Sequence, residues 1–96
     1  MPIIKFTGPF RKNYNRLSSK NQELKKKVKR TVKLLASDPK YPSLHSHKVE
    51  SKKYGMKWSS SVTNDIRVIW DYSKTENDAI ELLDIGGHSG RGGVYK

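Results

Sequence analysis

The sequence predicts a single α+β domain spanning residues 1–96, with an N-terminal strand and two helices packed on one face of a mainly antiparallel sheet of four or five strands. Three observations carry this expectation. The chain has 96 residues, which suits one core, because compact domains cluster at roughly 100 to 150 residues. Its hydrophobic period is helical between Lys20 and Ser37 and alternating in the second half. Clusters of turn-forming residues then divide that second half into β-rich runs.

Taken in order, Ile3-Ile4-Lys5-Phe6 reads as a short strand and Pro9 to Leu17 as a first, short helix. Lys20 to Ser37 is the strongest helical segment. With Leu24 at 0° and 100° per residue, Val28, Thr31, Val32 and Leu35 fall within about 80° of it, an amphipathic stripe. Lys25, Lys26, Lys29, Arg30 and Lys33 fall on the other side. Ser19 with Gln22 reads as a capping box at its start. Asp38 precedes Pro39 and is biased out of the helical region, which sets the stop. Lys48 to Lys52 is a strand leading into the turn Tyr54-Gly55. Met56 to Thr63, Ile66 to Tyr72 and Ala79 to Ile85 follow as three strands of an antiparallel meander, separated by Thr63-Asn64-Asp65 and by Ser73 to Asp78.

The charge is strongly biased. Lys and Arg number 20 against 9 Asp and Glu, a formal +11. Residues 1–53 hold 15 Lys/Arg and 3 Asp/Glu, whereas residues 54–96 hold 5 and 6, so the excess belongs to the first half. Such a surface suits a phosphate backbone, an anionic membrane face or an acidic protein. There is no cysteine, which excludes thiol catalysis, disulfides and cysteine-ligated zinc. The longest apolar runs are a few residues, far below the ~20 that span a bilayer, and none resembles a secretory signal. The expected setting is soluble and cytoplasmic, without a membrane.

Candidate chemistry is concentrated in a few side chains. In Ile66-Arg67-Val68-Ile69-Trp70-Asp71-Tyr72, alternation places Ile66, Val68, Trp70 and Tyr72 on one face and Arg67 on the other. An arginine there either snorkels to the rim, pairs with a carboxylate such as Asp65 or Asp71, or binds an anion. His45, His47 and His88 flank the sheet. Zinc needs three or four ligands and nothing completes such a set, so no metal site is expected. The end of the chain, Gly86 to Lys96, holds five glycines, His88, Arg91 and Tyr95, but lacks the G-x-x-x-x-G-K-[ST] spacing of a nucleotide-phosphate loop. Histidine, arginine, tyrosine and aspartate without metal match RNA transesterification. That reaction needs a base for the 2′-hydroxyl, a cation for the phosphate and an acid for the 5′-oxygen.

Several stretches together resemble a known family: Pro42-Ser43-Leu44-His45-Ser46-His47-Lys48-Val49, then Trp58 to Trp70, then Leu82-Leu83-Asp84-Ile85-Gly86-Gly87-His88, then Val94-Tyr95. They resemble the RelE/ParE toxin superfamily, most of all its RelE/YafQ-type messenger-RNA interferases. The resemblance implies a RelE-like fold and the toxin of a type II toxin–antitoxin module. It implies a ribosome-dependent, metal-independent endoribonuclease that cuts translated mRNA and needs no cofactor. The implied partners are an acidic cognate antitoxin, ribosomal RNA and mRNA.

The same resemblance implies catalytic roles for His47, Asp65, Arg67, His88 and Tyr95. His47 and His88 would transfer protons, Arg67 would stabilise the phosphate, and Asp65 and Tyr95 would orient RNA. His45, Lys48, Lys52, Lys53 and Arg91 are the expected RNA contacts, together with the basic face of the long helix. Members without histidines use lysines in the strand occupied here by Trp58 to Val62, and these are absent. The alternative is a non-catalytic ParE-like toxin that inhibits DNA gyrase. A third reading is a nucleic-acid-binding module without toxicity, for which charge alone suffices.

Overall fold

A computed structural model of the chain describes residues 3–51 and 53–87. Strand β1 (Ile3–Phe6) is followed by helices α1 (Gly8–Ser18) and α2 (Gln22–Ser37) and a single 3₁₀ turn at Pro42–Leu44. Strands β2 (His47–Ser51), β3 (Gly55–Ser61), β4 (Ile66–Tyr72) and β5 (Ala79–Gly87) complete the fold. The sheet order is β1-β5-β4-β3-β2. The meander β2 to β5 is antiparallel as expected, while β1 runs parallel to β5 with Ile4 opposite Ile80.

Thr7 explains why α1 begins where β1 ends. Its side chain accepts from Phe10 N at the helix N-terminus and donates to Leu82 O at 2.8 Å, tying the cap to the central region of β5. From there α1 runs alongside the part of β5 that β1 does not reach, and Asn13 Nδ2 donates to Asp84 Oδ1 at 2.5 Å. The expected start of α2 needs correcting. Ser19 closes α1, and the cap of α2 is Asn21, whose Oδ1 accepts from Leu24 N at 3.0 Å, so there is no Ser19–Gln22 capping box. The expected stop holds, with extended Asp38 as the C-cap donating its N–H to Leu34 O.

The stripe of α2 packs as its period requires. Leu24, Val28 and Leu35 join Phe10, Leu44, Val68, Trp70, Ile80, Leu82 and Ile85 in one core on the helix side of the sheet. Leu35 is fully buried, so Leu35→Ala leaves a cavity there that the surrounding helix and sheet fill only in part. It is expected to cost ~2–5 kcal/mol. For a domain of this size each kcal/mol lowers Tm by ~4–8 °C, and thermal unfolding followed by circular dichroism should show a fall of at least ~8 °C. An unchanged Tm would refute this account of the core.

The opposite face of the sheet is polar. Register places His47, Ser59, Ile69 and Asp84 in one row across it, and Ser61 with Arg67 in the next. Ile69 pairs with Asp84 while Trp70 pairs with Leu82, so Leu83 is the extra residue of a β-bulge. Lys57 and Asp71 close a half-buried ion pair at 3.1 Å on this face. Among the described residues no helix is long and apolar enough to cross a membrane.

Candidate functional site

One end of the sheet opens into a groove of ≈ 680 Å³ between α2, the 3₁₀ turn and the β3–β4 turn. Its walls carry His45 and His47, Asp65 and Arg67, with Lys27, Arg30 and Thr31 from α2 and Ser61 to Asn64 from the turn. Four of the expected site residues therefore meet, although they are separated by up to 22 positions in sequence.

The local structure that places the histidines starts at proline. Pro42 occupies the first turn of the 3₁₀ segment, and His45 ends it in the left-handed region at φ 49°, ψ 42°. Non-glycine residues are uncommon there, and single residues that adopt it redirect the chain. The turn brings the His45 carbonyl 2.8 Å from Nδ1 of His47. A carbonyl oxygen can only accept, so Nδ1 carries the hydrogen and Nε2 of the neutral ring keeps its lone pair. Both imidazoles are exposed. Behind them, a buried chain of hydroxyls fixes the loop: Trp70 Nε1 donates to Ser60 Oγ at 2.8 Å. Ser60 Oγ lies 2.6 Å from Ser46 Oγ, and Ser46 donates to Pro39 O at 2.7 Å.

Arg67 stands opposite Ser61 in the β3–β4 ladder. Its guanidinium donates to Ser61 Oγ through Nη1 and to Asn64 O through Nη2 at 3.2 Å. Buried Nε has no partner among the described residues. A hydroxyl and a carbonyl orient the fork without neutralising its charge, which keeps it available to an anion. Asp71, one of the carboxylates considered for it, is held instead by Lys57. Asp65 lies in the turn, exposed, with its main-chain N–H donating to Thr63 Oγ1.

The remaining expectations divide. Lys48 follows His47 on β2 and so projects to the helix-side face, away from the polar face that His47 shares with Arg67. Lys53 is exposed in the β2–β3 turn and does not line the groove. Lys52, His88, Arg91 and Tyr95 lie outside the described residues. The basic face of α2 proves to be two surfaces. Lys27 and Arg30 line the groove. Lys25, Lys26, Lys29 and Lys33, with Arg11, rim a second groove of ≈ 710 Å³ whose floor is Phe6, Phe10, Tyr14, Val28 and Val32. Sequence reasoning missed Lys27 as a site residue, although at −60° on the same helical wheel it lies beside the buried stripe. Among the described residues no three His, Cys, Asp or Glu come together as metal ligands.

Away from the groove, Tyr54 lies near Asp71 and Leu83 on the polar face. Burial first, and then the charge of Asp84, raise its pKa above the ordinary tyrosine value.

Comparison with known proteins places this geometry. The family described as the bacterial toxin of type II toxin-antitoxin system, YafQ, matches residues 3–90. A metal-bound toxin from Helicobacter pylori superposes with a TM-score of 0.72 at 21% identity, covering 92% of this chain and 96% of that one. The E. coli DinJ-YafQ complex gives 0.68 at 21%, covering 92% and 94%. The YoeB/ParE toxin from Agrobacterium tumefaciens gives 0.71 at 14%, covering 91% and 99%. These likenesses show a shared fold. No curated protein matches the sequence.

Proposed function

The chain belongs to the YafQ family of bacterial type II toxin–antitoxin toxins, and from that membership we propose that it is a ribosome-dependent endoribonuclease that cuts translated mRNA. The observation that carries the reading is the meeting of His47, Arg67 and Asp65 in one groove with Lys27 and Arg30 on its wall. Cations draw in the RNA backbone. Nε2 of His47, with its lone pair free, takes the proton of a ribose 2′-hydroxyl. The 2′-oxygen attacks the adjacent phosphorus, and Arg67 donates to the non-bridging oxygens as negative charge accumulates on them. The bond to the 5′-oxygen breaks, leaving a 2′,3′-cyclic phosphate and a 5′-hydroxyl. In this reading His88 protonates the leaving oxygen, and Asp65 and Tyr95 orient the RNA. Every proton and charge role falls to a side chain, so the reaction calls on no metal or cofactor.

The partner proposed is an acidic antitoxin, in a cytoplasmic setting. In one of the similar structures, from E. coli, a YafQ toxin is in complex with DinJ. The second groove here supports a partner for this chain as well, since its apolar floor with a cationic rim complements an amphipathic acidic segment.

The test is cleavage mapping on translating ribosomes with purified protein. Cuts within translated message, absent from the same message without ribosomes, are the expected result. Intact message together with blocked gyrase supercoiling would overturn the proposal in favour of a ParE-like inhibitor.

A further inference from the structure

On the helix-side face, beyond the reach of the helices, two lysines converge on one ring. Nζ of Lys40 lies 5.3 Å and Nζ of Lys48 5.2 Å from the Trp58 ring centroid. The sum of those two distances, 10.5 Å, is the most that can separate the two nitrogens. The arrangement is built in at both ends. Lys48 stands directly opposite Trp58 in the β2–β3 ladder. Lys40 follows Pro39, whose carbonyl is the end of the Trp70–Ser60–Ser46 hydrogen-bond chain, and its N–H donates to Asp38 Oδ1. Trp58 itself is braced by Trp70, nearly parallel at 5.6 Å, and by the edge of Tyr72.

Cation–π attraction favours each lysine over the indole, whereas the two ammonium groups repel each other. A bound anion between them removes that repulsion. Tyr72, which meets Trp58 edge-on, is itself a large exposed side chain, so the cations sit on an aromatic platform, the combination that single-stranded nucleic acid uses. The surface is also continuous with the groove. Lys48 is adjacent to His47 on the edge strand β2, and the loop that carries Lys40 continues into Ser43, Leu44 and His45 of the groove wall.

We propose that Lys40 and Lys48, held over Trp58, clamp a phosphate of single-stranded RNA where it leaves the groove around the β2 edge. The inference rests on the reading of the chain as an RNA-cleaving toxin and adds to it a second RNA contact on the other face of the sheet. The substrate then runs from the polar face, where the bond breaks, to the helix-side face, where it is gripped.

Binding is measured with a 2′-O-methyl RNA oligomer, which has no 2′-hydroxyl to react, by tryptophan fluorescence at several salt concentrations. Trp70 is buried, so Trp58 is the reporter, and Trp58→Phe identifies its signal. The oligomer is expected to change Trp58 emission. In the variant carrying Lys40→Gln and Lys48→Gln, the slope of log affinity against log salt should fall by ~0.7, the contribution of the one single-strand phosphate that the two lysines share. Both lysines are exposed, so the variant should retain the wild-type circular dichroism spectrum. Equal slopes for wild type and variant overturn the clamp, as does a Glu-rich peptide that perturbs Trp58 when RNA does not. Cleavage mapping separates the two levels. Message that is cut with equal slopes refutes the clamp alone, whereas a reduced slope on message that is never cut refutes the nuclease reading alone.

Discussion

Arg67→Ala is expected to lower cleavage of translated message by ~10²–10³-fold, the loss that follows removal of one donor aimed at developing negative charge. The guanidinium is the cation best placed to follow that charge. It comes from the first residues of β4, opposite Ser61 on β3, and its fork is oriented by Ser61 and Asn64. Lys27 and Arg30 also line the groove, but from the exposed surface of α2. They are suited to attracting the backbone rather than to gripping one phosphorus. Arg67→Lys sharpens the test. It keeps the charge but replaces a planar fork with a point charge, so it should recover only a minor part of the rate while restoring ribosome affinity. Removing a half-buried side chain that makes two polar contacts costs ~1–3 kcal/mol of stability, so thermal melts must show both variants folded at the assay temperature. Cleavage by folded Arg67→Ala at the wild-type rate would remove Arg67 from the mechanism.

The parts of this molecule that local sequence determines were legible beforehand. Residues Ile66 to Tyr72 form β4 with the bounds that alternation predicts, and the stripe Leu24, Val28, Leu35 is the buried face of α2. Asp38 ends that helix because the following proline disfavours its continuation. What was not legible depends on distant partners. Pairing of β1 with β5 joins residues more than 70 positions apart, and no periodicity within Ile3 to Phe6 announces a parallel neighbour. Asn21 outcompetes Ser19 as a cap because α1 extends through Ser18 and uses Ser19 for its own end. Two aspects of the site were hidden for similar reasons. The cations of α2 look like one face on a helical wheel, yet the sheet end and α1 divide them between the groove that holds His47 and Arg67 and an apolar one. His45 and His47 could not be ranked from spacing alone, because what distinguishes them is the left-handed backbone at His45.

That backbone supports the second large prediction, that His47→Ala lowers the cleavage rate by ~10²–10⁴-fold, the usual worth of a positioned proton-transfer group. The deciding feature is which nitrogen is free. With Nδ1–H committed to the His45 carbonyl, Nε2 is the only basic position on the ring, and the tautomer is fixed before substrate arrives. His45 contributes through its carbonyl, which every residue possesses, so its own side chain is expendable for the proton transfer. His45→Asn retains that carbonyl and substitutes a residue that tolerates the left-handed region. The two variants should therefore part. Single-turnover cleavage at saturating programmed ribosomes should collapse for His47→Ala and stay close to wild type for His45→Asn, in which a lost groove contact shows only as weaker binding. His47→Gln is the third arm: its amide nitrogen can still donate, but its amide oxygen is too weak a base to take a hydroxyl proton at neutral pH, so it should be as slow as alanine. Equal losses in His45→Asn and His47→Ala would mean that both rings act on the substrate directly. A fast His47→Gln would mean that position 47 binds RNA without accepting a proton, and the base would have to be sought elsewhere in the groove.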